Sequence, residues 1–350
     1  MKVLLMKMSS LGDVVHALPA LTDAARNGAR FHWVVEEAFQ AVPATHPAVE
    51  VVLPIAWRRW RRSLWRSRGE VKSFFERLAG ERYDLAIDSQ GLIKSALAMK
   101  RAAAREKVGF GRHSARESLA ARLYDRCIEV PRHRHAVDRQ RQLFAGALGY
   151  AWDPESAVDF GLNPKGFVSA PAASPERCVL LHGATWATKL WPEAMWIELA
   201  GMAAQAGLKV MLPWGNVEER ARAERIAGAS GSELLPNQSL EELMSELRRA
   251  RVVVGVDSGL AHLAGALGVP TVVLYGSTSS RLTGCRGKGA RNLQADFPCA
   301  PCLSRTCRYR GPARHWRETA VSPPCYGELD PARVWAAALE TMDAHRLQHI

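Results

Sequence analysis

The sequence predicts an α/β protein made of two doubly wound units, each a parallel sheet covered by helices. Three observations carry the prediction. Short apolar runs alternate with helical patterns, as parallel strands and their crossover helices do. The alternation pauses once, near mid-chain, in a segment dominated by Pro, Ala, Ser and Gly. It then restarts in the same form. Two Rossmann-like domains facing a central cleft are therefore expected, with ligands bound at the carboxyl ends of the strands.

The elements follow in order. Residues 3–6 form a short apolar strand, and a helical pattern runs from Val14 to about Arg26. Residues 31–35 and 85–88 are the next strands. The pause covers 163–166 and 169–175. Residues 178–182 are a strand, and 191–206 a helix with Gly207 as its natural stop. Residues 209–212 are a strand, 217–227 a helix expected to end at Gly228, and 252–256 a strand. A helix starts near Gly259, and 271–274 close the series. Asp330 is a good N-cap and Pro331 a good first helical residue, so a final helix begins there. The expected division is 1–165, 166–329 and a terminal helix, 330–350, packing toward the first domain.

At 350 residues the chain is long enough for two sizeable cores. With 47% apolar and 23% charged residues its composition is globular, not disordered. Apolar runs such as 252–256 are too short to span a bilayer, and the first residues enter a strand without a leader pattern. A cytoplasmic protein is expected. The net charge of +12 is uneven: residues 1–170 hold 27 Lys and Arg against 18 Asp and Glu, the remainder 20 against 17. Such an excess favours an anionic partner: phosphorylated lipid, nucleic acid or acidic metabolite. No recognised nucleic-acid motif accompanies it, so no nucleic-acid partner is expected. Seven cysteines, an odd number, argue against a secreted disulfide framework.

Four strand-to-helix junctions and one basic segment are candidates for chemistry. Ser10-x-x-Asp13 fits a helix cap with an acid in the first turn, and it equally fits a general base at the end of the first strand. Spacing does not separate the two. Asp257-Ser-Gly-Leu-Ala-His262 ends a buried strand and begins a helix, whose N-terminal N–H groups suit phosphate. Lys189 lies in a similar loop after His182 and could neutralise a pyrophosphate, and Trp214-Gly215 precedes Glu218 at another strand end. The bland reading of each is an ordinary capped helix or connecting loop. Residues 56–68 hold six arginines and three tryptophans. At helical spacing Trp57, Trp60 and Leu64 share one face, a basic amphipathic pattern suited to an anionic membrane surface or a phosphorylated ligand.

Taken together these stretches resemble the lipopolysaccharide heptosyltransferases, GT-B enzymes of glycosyltransferase family 9, and among them the members that add the first heptose. The resemblance rests on Lys7-Met-Ser-Ser-Leu-Gly-Asp13-Val-Val-His16, Arg58-Arg-Trp-Arg61, Asp88-Ser-Gln-Gly-Leu-Ile-Lys94, Ser114-Ala-Arg116, His135-Ala-Val-Asp-Arg139, Lys189-x-Trp-Pro192, Leu212-Pro-Trp-Gly215 and Asp257-Ser-Gly-x-x-His262. It implies inverting, metal-independent transfer of heptose from ADP-heptose to the inner Kdo (3-deoxy-octulosonate) of Kdo2-lipid A, at the cytoplasmic face of an anionic inner membrane. In that light Asp13 is the general base, and Lys189 meets the departing diphosphate. Thr185, Thr188, Trp214, Glu218 (or Glu219), Asp257, Ser258, Gly259 and His262 hold the donor. Lys7, Ser10, Arg59, Arg61, Lys94, Arg116 and His135 are candidates for the acceptor's carboxylates and phosphates. Ala184 departs from the family, which often has a hydroxyl residue there. The rival reading within the family is addition of the second heptose.

Cys299-x2-Cys302-x4-Cys307-x17-Cys325 remains. In a reducing compartment the spacing reads either as a structural zinc or iron clamp or as four unligated thiols packed under a loop. No cofactor is expected for catalysis, and no Asp-x-Asp metal motif occurs in the chain.

Overall fold

Strand β1, Lys2–Met6, is flanked on both sides by parallel neighbours, because every residue from Val3 to Met6 is apolar and buried. The computed structural model describes residues 1–162 and 176–347, and these divide into two compact units. The expected linker at 163–175 lies outside the described residues.

In the first unit β1 leads into α1, Leu11–Arg26, then β2, Arg30–Glu36, and β3, Val49–Ile55. Two helices follow, α2, Trp57–Trp60, and α3, Leu64–Gly80. The remaining elements are β4, Leu85–Asp88; α4, Ile93–Met99; β5, Lys107–Phe110; β6, Arg126–Ile128; and α5, Ala136–Leu148. The parallel sheet runs β3-β2-β1-β4-β5-β6. Its core gathers Leu4, Met6, Val34, Ile55, Trp60, Phe74 and Leu78. The amphipathic helix expected across 57–64 is broken: Ser63 is extended (φ −154°, ψ 82°), so Trp57 and Trp60 sit on one short helix and Leu64 opens the next.

The second unit repeats the plan: β7, Arg177–Leu181; α6, Glu193–Gln205; β8, Lys209–Leu212; α7, Val217–Ser230; and β9, Glu233–Leu234. Then come α8, Leu240–Arg248; β10, Ala250–Val256; α9, Gly259–Ala266; β11, Thr271–Tyr275; β12, Ala290–Gln294; and α10, Pro331–Leu347. Its parallel sheet runs β9-β8-β7-β10-β11-β12, the same winding as the first. Helix α7 does not stop at Gly228. It continues three residues to Gly231, whose φ of 72° supplies the left-handed cap. The final helix starts as expected, with the Arg333 N–H donating to Asp330 Oδ1 at 2.8 Å. It is grouped with the second unit, where Val334, Ala337, Ala338 and Met342 join the core of Leu180, Trp191, Trp196 and Val254. That face is apolar and matches the second sheet, which accounts for where it packs. Among the described residues no helix is long and apolar enough to cross a membrane.

In both sheets the order reverses between the first and fourth strands, at β1/β4 and at β7/β10. Crevices at such switch points receive ligands. Asp13, Lys94, Lys189 and Asp257 follow those four strands in turn.

Candidate active site

In the first unit the loop after β1 is fastened to the loop after β4. The backbone N–H groups of Met8 and Ser9 donate to Gln90 Oε1 at 3.0 and 3.1 Å. Lys7 is almost wholly buried, and its Nζ donates to the Ser89 carbonyl at 2.9 Å. Asp88 anchors the opposite side: fully buried, it accepts from Ser95 Oγ (2.7 Å), Tyr124 Oη (2.8 Å) and the Gln90 N–H (2.8 Å). These contacts fix the start of α1. There the Ser10 N–H and hydroxyl both donate to Asp13 Oδ2 at 2.9 Å. Asp13 does cap its helix, but with one oxygen. Its Oδ1 accepts no hydrogen bond among the described residues, and the residue is half-buried. The cap fixes the orientation of the carboxylate through that one oxygen, Oδ2.

The surroundings of Asp13 are cationic. Burial pushes the Lys7 amine down, Asp13 and Asp88 pull it back up, and Arg139 and Arg116 push it down again. Burial and then Arg132 also depress Arg139, with Asp13 opposing. Arg139 Nη2 donates to the Ser114 carbonyl at 2.6 Å and Arg132 to the Ala115 carbonyl, so both guanidinium groups are held by backbone rather than by carboxylates. Neither arginine is among the acceptor residues expected from the sequence, although Arg139 ends the stretch His135-Ala-Val-Asp-Arg139. His135 is buried, caps α5 by accepting from the Val137 N–H at 3.2 Å, and lies edge-on to His16 of α1 at 6.0 Å. Lys94, half-buried, opens α4 after the β4 loop. Arg61 is exposed. Arg59 is already engaged: its guanidinium lies 3.2 Å from Glu37 and 2.8 Å from Glu70, so it would have to leave two carboxylates to meet a ligand.

In the second unit the loop after β7 meets the loop after β10. Lys189 Nζ lies 2.8 Å from Asp257 Oδ2, and His262 Nε2 lies 3.0 Å from Asp257 Oδ1. Burial alone would raise the Asp257 pKa, but His262 and Lys189 hold it far below the usual carboxylate range. Burial would lower His262, but hydrogen bonds to Asp257 and Cys285 raise it to about 9. The triad of Lys189, Asp257 and His262 therefore sets two basic side chains on one buried carboxylate. It sits where Ser258 caps α9 by accepting from the Ala261 N–H and the unpaired N–H groups of the first turn begin. His262 itself is 4% exposed, with its Nε2 on Asp257.

The other donor candidates are spread along the same edge. Thr188 is buried and donates to the Ser304 carbonyl at 2.6 Å, whereas Thr185 is exposed. Trp214 donates from Nε1 to the Leu235 carbonyl at 2.9 Å, with Arg220 over its ring. Glu219 closes the loop by accepting from the Gly215 N–H at 2.8 Å, and its carboxylate lies where a Cβ on Gly183 would collide. Glu218, beside it, is exposed.

The expected metal clamp is not assembled. Cys299, Cys302 and Cys307 are exposed and Cys325 is buried beside Tyr326, and among the described residues no three metal-binding side chains converge. The thiols are near enough to feel one another: burial and then the other three push Cys325 up to about 12. Only Cys325 is packed as the second reading expects; Cys299, Cys302 and Cys307 are exposed.

Comparison with known proteins identifies the family. The model of glycosyltransferase family 9 (heptosyltransferase) matches residues 71–312. The chain is 49% identical to lipopolysaccharide heptosyltransferase 1 of Pseudomonas aeruginosa over 98% of both chains. It is 44% identical to the Escherichia coli K12 protein of the same name, over 82% of this chain and 92% of that one. Likeness to lipopolysaccharide heptosyltransferase 2 of Salmonella typhimurium reaches 32% over only 27% of the chain. Among solved structures, E. coli heptosyltransferase WaaC with ADP aligns at a TM-score of 0.78 and 42% identity, over 83% of this chain and 92% of that one. The fold is thus GT-B, and the chain belongs to glycosyltransferase family 9 as a heptosyltransferase of lipopolysaccharide synthesis.

Proposed function

We propose that this enzyme transfers heptose from ADP-heptose to the inner Kdo of Kdo2-lipid A, with inversion at the anomeric carbon. The observation that carries the mechanism is Asp13, one oxygen locked in a cap and the other unengaged amid Lys7, Arg116 and Arg139. Those cations suit an acceptor rich in carboxylates and phosphates. The donor is supported by the likeness to WaaC, whose structures carry ADP and ADP-2-deoxy-2-fluoro heptose. The first heptose rather than the second is supported by full-length identity to proteins named heptosyltransferase 1.

In this reading an acceptor hydroxyl attacks the anomeric carbon and passes its proton to Asp13 Oδ1. The bond from that carbon to the diphosphate breaks on the opposite face, and ADP departs with the electron pair. Lys189, held by Asp257, and the first N–H groups of α9 receive the developing charge. Thr185, Thr188, Trp214, Glu218, Ser258 and Gly259 line the donor, while Lys7, Ser10, Arg61, Lys94, Arg116 and His135 line the acceptor. No step is assigned to a metal. The acceptor is a lipid, so the reading places the enzyme on the cytoplasmic face of an anionic membrane.

Mass spectrometry of product tests it. Incubation with ADP-heptose should add one heptose to Kdo2-lipid A and none to the singly heptosylated acceptor. Addition only to the latter would make this the second-heptose enzyme, and addition to neither would overturn the reading.

A further inference from the structure

The basic segment after β3 separates into two parts with different fates. Trp60 is buried, donating from Nε1 to Glu70 at 3.0 Å. Arg59 is paired with Glu37 and Glu70, and Arg58 lies over the Phe39 ring. Those residues belong to the unit's own packing. The rest does not. Trp65 is 87% exposed, the only aromatic among the exposed large apolar side chains of the described residues. Helix α3 is well anchored beneath it: Ser67, about 200° around the helix, is buried, as are Phe74 and Leu78. Trp65 is therefore presented outward by a fixed helix.

Its neighbours are cationic and uncompensated. Arg62, Arg66 and Arg68 are exposed and form no ion pair among the described residues. No acid occurs between Trp57 and Gly69, and the first that follows, Glu70, is occupied by Arg59 and Trp60. An indole with an apolar body and a polar N–H, ringed by arginines, suits the headgroup level of a bilayer carrying negative lipid.

We propose that Trp65, with Arg62, Arg66 and Arg68, is a membrane-docking surface that inserts one indole ring into an anionic bilayer. The proposal rests on the reading above and deepens it by naming the contact that holds the enzyme at its lipid substrate. The occupant is a phospholipid surface, because the charge is spread over a face around a projecting aromatic.

The test is co-sedimentation of the full chain with phosphatidylcholine vesicles, with and without phosphatidylglycerol, beside transfer to a deacylated, water-soluble acceptor. Trp65→Ala should lower partitioning to anionic vesicles by about tenfold. The triple change Arg62→Gln, Arg66→Gln, Arg68→Gln should lower it by about a hundredfold. Trp65→Ala should leave both thermal unfolding and transfer to the soluble acceptor within twofold of wild type. Partitioning unchanged in Trp65→Ala would overturn the proposal, as would equal binding of wild type to neutral and anionic vesicles. Loss of transfer to the soluble acceptor in Trp65→Ala would instead place Trp65 in the acceptor site. Binding of single-stranded RNA with the same Trp65 dependence would make the surface a nucleic-acid site. A wild type that partitions as expected but transfers to no acceptor sinks the functional reading and leaves the docking surface standing.

Discussion

The two units share one winding, and each sets a lysine and an aspartate beside its switch point, but from different strands: Lys7 and Asp13 both follow β1, whereas Lys189 follows β7 and Asp257 follows β10. In the second unit Lys189 and Asp257 are partners at 2.8 Å, and the aspartate is spent on holding the lysine. In the first, Lys7 is held by a backbone carbonyl, and Asp13 is held by Ser10 with an oxygen to spare. The contrast matches what each half of the proposed displacement needs. A departing diphosphate wants a fixed cation. An attacking hydroxyl wants a fixed anion that can take a proton.

The sharpest way to break that contrast is Asp13→Asn. The amide oxygen still accepts from Ser10, so the helix start survives while proton acceptance is lost. Turnover should fall by about 10²–10⁴-fold, with ADP affinity, measured by calorimetry, within a few-fold of wild type. A residual rate above about a tenth of wild type would be too high for loss of a general base.

Exchanging each lysine for methionine compares the two sites directly. Lys189→Met leaves Asp257 buried beside His262 alone, and should cost about 3 kcal/mol of stability together with most ADP affinity. Lys7→Met removes a buried ammonium that has no carboxylate in contact. It should be close to neutral for folding and should raise the acceptor KM without changing ADP binding. Thermal unfolding and separate donor and acceptor titrations check both. Equal destabilisation by the two changes would erase the distinction drawn between the sites.

A smaller effect follows from His262, raised to about 9 by its partners. A group whose pKa is higher folded than unfolded stabilises fully below its unfolded value, near 6.5, and loses that contribution as pH climbs through its folded value. Unfolding free energy should therefore decline by about 3 kcal/mol between pH 6.5 and 9, an upper bound for this group alone. His262→Gln should flatten the decline, and a slope identical in the variant would remove His262 as its source. Asp257 works in the other direction, stabilising above the usual carboxylate range and losing the contribution in strong acid.

Cys302→Ser should have the least effect. The thiol is exposed and joins no metal-holding group among the described residues, so stability should stay within about 0.5 kcal/mol. Elemental analysis should find no tightly held zinc or iron. A stoichiometric metal, or a large loss of stability in Cys302→Ser, would restore the clamp.

Much of this molecule is legible in the chain. Strands at 85–88 and 209–212 fall where apolar runs place them, because a strand buried on both faces must be continuously apolar. The start of the final helix was set by Asp330 and Pro331 alone, through local hydrogen bonding and a fixed φ. The loops that carry Asp13, Lys189 and Asp257 could be picked out because strand-to-helix junctions in such sheets are where ligands bind. Packing decided the rest. Whether Asp13 was a cap or free for chemistry could not be read from spacing, since the answer is one oxygen for each and depends on Ser10's geometry. That His262 would be buried against Asp257 was not legible in the spacing, and Arg139 acquired interest only when the start of α5 brought it near Asp13. The division between Trp60 inside and Trp65 outside was likewise hidden: a break at Ser63 turned one apparent helix face into two. Local sequence determines local hydrogen bonding and periodicity, whereas the pairing of charges far apart in the chain exists only once the sheets have brought them together.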